Sequence, residues 1–118
     1  MKFLMTYQQN PSNPPPTPET MAAIGNFAAE NVAKGVLIMT GGLVRPSKGI
    51  QVRCEKGKLH VTDGPFAETK DLIDGFALIQ VASREEAIAT AHAFMKIAGD
   101  GTGEILQVFD QGEGQPTR

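Results

Sequence analysis

The chain has 118 residues, 41% of them hydrophobic and 20% charged, with a formal net charge of −2. That is the size and make-up of one globular domain around one core, since compact domains commonly run to about 100–150 residues. Acidic and basic residues alternate along the chain, so no basic stripe offers itself to phosphates and nucleic acid is not expected as a partner. A single cysteine, Cys54, excludes an internal disulfide, and with no Cys/His ligand set beside it neither a metal nor a cofactor is expected. This composition suits a reducing, cytoplasmic setting. The apolar residues 3–5 are too few for a signal-peptide core, and no run approaches the roughly 20 apolar residues of a membrane span, so no membrane association is expected.

In chain order, residues 2–7 read as a strand, and the Pro/Asn/Ser segment 10–16 as a mobile loop. Thr17 is a helix cap and Pro18 suits the first helical position, where its missing N–H would have no partner anyway. The helix is expected to run to about Lys34, with Met21, Ile24, Phe27, Ala28 and Val32 forming an apolar stripe that lies on a sheet, and Gly35 as the left-handed stop. Residues 36–39 predict a strand, interrupted at Gly41 and Gly42 by a bulge or a close backbone approach and resumed at Leu43 and Val44.

Residues 50–54 and 58–62 alternate about Lys56 and Gly57, which predicts a hairpin. Residues 75–81 predict a central strand, with Phe76, Leu78 and Gln80 on one side and Ala77, Ile79 and Val81 on the other. Ser83 and Glu86 form a capping box that opens a helix with a buried stripe of Ala87, Ile88, Ala91, Phe94 and Met95, ended by the glycines at 99, 101 and 103. Residues 104–109 close the series as a last strand. Residues 1–110 read as the domain and 111–118 as a flexible tail.

Without the hairpin the order is βαββαβ, the split ferredoxin-like α+β arrangement with both helices on one side of an antiparallel sheet. Apolar residues such as Phe76, Leu78 and Ile79 occupy both sides of the central strand, so the uncovered side of the sheet predicts a homodimer.

The run VTDGPFAETK, residues 61–70, resembles the signature of the YCII-related family in its DGPF-motif branch. The likeness extends through the opening MKFLM, AKGVLIMTGGL at 33–43, DLIDGFALIQV at 71–81, SREEAIATA at 83–91 and EILQVF at 104–109. The resemblance implies a dimeric α+β barrel in which two sheets pack face to face. YciI-type members of the superfamily look as though they use a His–Asp pair, and alignment on residues 33–35 and 41–42 places Ile24 and Ala33 near those positions, so the pair is absent here.

Within the motif, Asp63 can accept a backbone N–H two residues on, Gly64 permits unusual dihedrals, Pro65 fixes φ, and Phe66 can anchor the loop. All of that is achieved without a ligand. The functional reading adds that Asp63, Glu68, Thr69 and Lys70 gather polar groups beside the Phe66 ring, as a small polar ligand site requires. His60 and His92 read as solvated surface side chains, and Cys54 as a half-buried strand residue with no base beside it. Met5, Met21, Met39 and Met95 fall at core-facing spacings.

Three functions compete. The favoured one is a dimeric small-molecule-binding protein or minor enzyme that uses the dimer cleft beside the 66–70 loop, any catalysis being acid–base work by Asp63, Glu68 or Lys70. Resemblance to accessory domains found with extracytoplasmic-function sigma factors implies a regulatory alternative with a separate sigma factor as partner. The third is a dimeric scaffold without a ligand.

Overall fold

A computed structural model describes residues 1–43, 49–63 and 73–109. In chain order the elements are β1 (Lys2–Gln9), α1 (Pro18–Ala33), β2 (Leu37–Gly42), β3 (Ile50–Glu55), β4 (Lys58–Asp63), β5 (Gly75–Gln80), α2 (Arg84–Ala98), β6 (Gly101–Thr102) and β7 (Ile105–Val108). The main sheet runs β2-β5-β1-β7, with the short β6 also on β1, and every pairing is antiparallel. This α+β architecture is compatible with a ferredoxin-like fold. β5 lies between β1 and β2, as its apolar residues on both sides require.

Both helices start where their caps dictate. Thr17 Oγ1 accepts the Thr20 N–H at 3.1 Å with Pro18 in the first turn, and Ser83 Oγ accepts the Glu86 N–H at 3.2 Å. The return bond of the capping box differs from the usual form, because the Glu86 carboxylate reaches one residue further back, to the Ala82 N–H at 2.8 Å. α1 ends in a Schellman motif: Val36 N–H donates to the Asn31 carbonyl and Gly35 N–H to that of Val32, with Gly35 at φ +77°.

Several expectations need correction. Gly41 and Gly42 do not interrupt β2 but stay paired with Phe76 and Gly75, and the bulge lies upstream, between Leu37 and Met39. Glycine fits closely at 41, where a Cβ would approach the Phe76 ring to 3.0 Å and the ring would have to shift to admit it. The last strand falls within the expected residues 104–109, but the glycine segment before it, expected only to end the helix, also forms a short strand in which Gly101 and Thr102 pair with Gln9 and Gln8. The 10–16 segment is irregular but anchored. Asn10 N–H donates to the Asp100 carbonyl at 3.0 Å, Asn13 Nδ2 donates to the same oxygen at 2.7 Å, and Asn10 Oδ1 accepts the Ser12 N–H at 3.0 Å.

The core is small and one-sided. Phe3, Met5, Ile79, Val81 and Ala87 are buried, with Ile79 at 1% and Ala87 at 0% exposure. α1 buries none of its residues, Met21 and Val32 of its predicted stripe are exposed, and so are Ile88 on α2 and Met39 on β2. Ile79 therefore faces the helices instead of the uncovered side of the sheet. That other side carries an unbroken apolar row in register across four strands, Met39, Leu78, Leu4 and Leu106.

The β3–β4 hairpin forms a separate two-stranded sheet. Lys56 at φ 51° and Gly57 at φ 81° supply the two left-handed residues of a type I′ turn, whose twist matches the strands. All twelve strand residues are exposed, including Cys54, which was expected to be half-buried. The segment beyond residue 109 and the predicted strand residue Val44 lie outside the described residues.

Candidate functional site

Because α1 stands off the sheet, a cavity of about 760 Å³ separates the helix layer from the strands. Its walls are Met5, Leu37, Ala77 and Ile79 from the sheet, Ile24, Phe27 and Ala28 from α1, and Ala91, Phe94 and Met95 from α2. The volume falls within the range of pockets that enclose small organic ligands, about 300–1,000 Å³. Three rings prop the layer apart: Tyr7 meets Phe94 edge-on at 5.2 Å between centroids, and Phe94 meets Phe27 at 6.2 Å.

Polar groups gather where β1 and β2 end and β5 begins. Asp74 ties these strands together: its carboxylate accepts the Gln9 N–H at 2.6 Å, its own N–H donates to the Tyr7 carbonyl at 2.7 Å, and its carbonyl accepts the Leu43 N–H at 2.8 Å. The short bond to the carboxylate is charge-assisted. Tyr7 lies on β1 with its hydroxyl donating to the Gly99 carbonyl at 2.9 Å. Burial first, then the carboxylates of Asp74 and Asp100, push this hydroxyl above its ordinary pKa, so it stays protonated through neutral pH. Thr40 Oγ1 donates to the Phe76 carbonyl at 2.8 Å, and Asn31 Nδ2 to that of Phe27 at 2.8 Å, so both amphipathic side chains keep spare acceptor capacity on the cavity wall.

A shallower hollow of about 640 Å³ lies between α2 and β6, lined by Gln8, Asn10, His92, Lys96 and Asp100 among others. It lacks the enclosing apolar wall of the first cavity, and His92, exposed on α2, stands on the ridge between the two. Among the described residues no group of His, Cys, Asp and Glu could hold a metal. No helix there is long and apolar enough to cross a membrane.

The structure places Asp63 at the exposed end of β4, outside the walls of the cavity. Phe66, Glu68, Thr69 and Lys70 lie outside the described residues, as do Gly64 and Pro65. His60 sits on the polar side of the hairpin, opposite Arg53. Sequence reasoning passed over Tyr7 and Asp74. The alternation Phe3, Met5, Tyr7 already put the chain's one tyrosine on the core side of β1, and that was the available signal.

Comparison with known families matches residues 1–111 to the YCII-related domain. The chain belongs to the YCII-related family. A curated relative, an uncharacterized protein of Rhizobium meliloti (strain 1021), is 42% identical over 57 residues, a stretch that covers 48% of this chain and 46% of that protein. The chain's match thus spans about half the length of this relative. Within this YCII-related domain, Ile24 lines the cavity as an apolar wall residue.

Proposed function

We propose that this YCII-related protein binds a small molecule with an apolar body and a polar end, and that it does so as a homodimer. The cavity between helices and sheet carries the proposal: it is large enough for a ligand, apolar along its walls, and polar at the strand ends where Tyr7, Thr40 and Asp74 converge. The Tyr7 proton is committed to the Gly99 carbonyl, so the Tyr7 oxygen and the Asp74 carboxylate both act as acceptors and fit a ligand that presents donors there. Ile24 in the wall favours binding over the acid–base chemistry of a His–Asp pair.

The 66–70 segment keeps its part in this reading. In sequence, Glu68, Thr69 and Lys70 stand four to six residues before Asp74, and their side chains are candidates for the polar end of the ligand, with Phe66 as the apolar contact and Asp63 as the turn residue. The homodimer, in the form of a face-to-face barrel, is supported by the row Met39, Leu78, Leu4 and Leu106 on the uncovered side of the sheet, because monomeric proteins rarely leave such a patch in water.

The test is to fill the cavity. Ala28→Phe and Ala91→Phe, singly and together, should reduce binding of a fluorescent apolar probe such as anilinonaphthalene sulfonate by about tenfold or more, and displace any metabolite that native mass spectrometry finds retained. Probe binding that survives both substitutions in a folded protein would overturn the assignment. A regulatory role with a sigma factor predicts a different result, a hetero-complex whose formation leaves probe binding unchanged.

A further inference from the structure

Four polar side chains on the wall of the large cavity spend a proton on a backbone carbonyl. Tyr7 donates to Gly99 at 2.9 Å, and Thr40 to Phe76, Asn31 to Phe27 and Thr90 to Glu86, each at 2.8 Å. The three hydroxyls have no second proton to give, so what they retain for a ligand is lone pairs, and the Asn31 amide keeps its carbonyl oxygen. Two carboxylates add to this acceptor surface. Asp74 donates its backbone N–H to the Tyr7 carbonyl, and the Glu104 carbonyl accepts the Thr6 N–H, so the two acidic residues flank β1 from its β5 and β7 edges and both line the cavity. An ionised carboxylate only accepts.

Among the described residues that line the cavity there is no lysine or arginine, and the basic side chain present, His92, is exposed on α2. Tyr7 registers the resulting field, because after burial it is the carboxylates of Asp74 and Asp100 that hold its hydroxyl above the ordinary pKa. A field that opposes a phenolate favours a cation. Phe27, Phe76 and Phe94 bring aromatic rings to the same walls, and the face of such a ring attracts an ammonium group.

We propose that the ligand of this cavity is an organic amine bound as its ammonium ion, with its apolar body between helices and sheet and its charged end among Tyr7, Asp74 and Glu104. The inference rests on the cavity reading and names the chemical class that the cavity takes. An alcohol of the same shape would use one or two of these acceptors, whereas an ammonium group brings up to three donors and the matching charge.

Isothermal titration calorimetry with three probes of one body tests it: phenylbutylamine, phenylbutanol and phenylbutyrate, which are positive, neutral and negative at neutral pH. The amine should bind at least about tenfold more tightly than the alcohol, and the carboxylate more weakly than either. Phenylbutylamine should also displace the sulfonate probe at lower concentration than phenylbutyrate does, which places it in the cavity. Asp74→Asn keeps an oxygen for the Gln9 N–H but removes the charge, and should bring the amine close to the affinity of the alcohol while leaving the alcohol unchanged. Glu104→Gln keeps the backbone bond to Thr6 and should cost the amine about two- to threefold, so the charge is tested even if Asp74→Asn does not fold. Amine and alcohol binding equally, or an amine preference untouched by either substitution, would keep the cavity and overturn the cation. Phenylbutyrate binding most tightly would assign the polar end to a basic group such as Lys70 and overturn it as well. If no probe binds, or if all three survive Ala28→Phe with Ala91→Phe, the cavity reading and the amine fall together.

Discussion

Where Met1 meets Val81, the layer between helices and sheet is closed: the two residues exchange backbone bonds of 2.8 and 2.9 Å, and Phe3, Val81 and Ala87 fit together, none more than 8% exposed. At the opposite end, where β1 runs out at Gln9 and β5 starts after Asp74, the same two layers are held apart by the rings of Tyr7, Phe94 and Phe27, and a cavity takes the place of packing. One sheet and one pair of helices thus supply a stabilising end and a binding end. Ala87 lets α2 approach the sheet closely at the first, whereas Ile24 and Ala28 are too short to bridge from α1 at the second. Stability and binding are thereby assigned to different residues, which makes the division open to test.

The sharpest break would come from deleting one side chain at each end. Phe3→Ala should destabilise the protein by about 3–5 kcal/mol, because a buried aromatic side chain leaves a hole that its neighbours cannot fill. Ile24→Ala already faces open space and should cost less than about 1 kcal/mol while changing probe affinity. Urea unfolding of both variants measures the difference, and equal losses would erase the distinction between the ends.

A smaller effect separates polar structure from polar function at the binding end. Asp74→Ala removes the carboxylate that accepts the Gln9 N–H and should cost about 1.5–3 kcal/mol, the range for hydrogen bonds to charged groups, along with probe affinity. Thermal melts and titrations of the same preparation read both. An unchanged melt would show that Asp74 does not tie the strands.

The smallest effect is confined to alkaline pH. The folded protein holds the Tyr7 hydroxyl above its ordinary pKa, so the neutral form is favoured on folding. The sign follows from linkage: this contribution is fully present below the unfolded value near pH 10 and is lost as pH rises through the higher folded value. Tyr7→Phe should flatten that part of the stability curve, as measured by chemical unfolding across the alkaline range. A decline identical in both proteins would assign the loss to other groups.

Most of the element order was legible because its signals are local. Thr17 and Ser83 caps, the Gly35 stop, the Lys56–Gly57 turn and the two-sided apolar pattern of residues 75–81 each act within a few residues, and each appears in the structure. What the sequence could not convey is distance between layers. Met21, Val32 and Ile88 sit at helix positions that ordinarily pack, and nothing in their spacing says that α1 is held away from the strands. The same holds for Ile50, Val52, Leu59 and Val61, whose alternation gives the hairpin two chemically distinct sides but does not say that all four are exposed. The site was only partly legible: Asp63 was read from a turn motif, whereas Tyr7 and Asp74 come together through pairings between β1 and the start of β5, about 65 residues apart in sequence.

The bulge in β2 bears on how the length of this strand can drift. Between the pairs Leu37 with Ile79 and Met39 with Leu78, β2 holds one residue more than β5. Loss of Ile38 would straighten the strand and leave both flanking registers intact, so Gly41 would still lie beneath the Phe76 ring. Loss of Thr40 can be absorbed by the same extra residue, but then Ile38 takes the place of Met39 opposite Leu78 and Met39 turns to the helix side of the sheet opposite Ala77. A one-residue deletion therefore keeps every remaining side chain on its own side of the sheet at one point of this strand and turns Met39 over when it falls two positions further on.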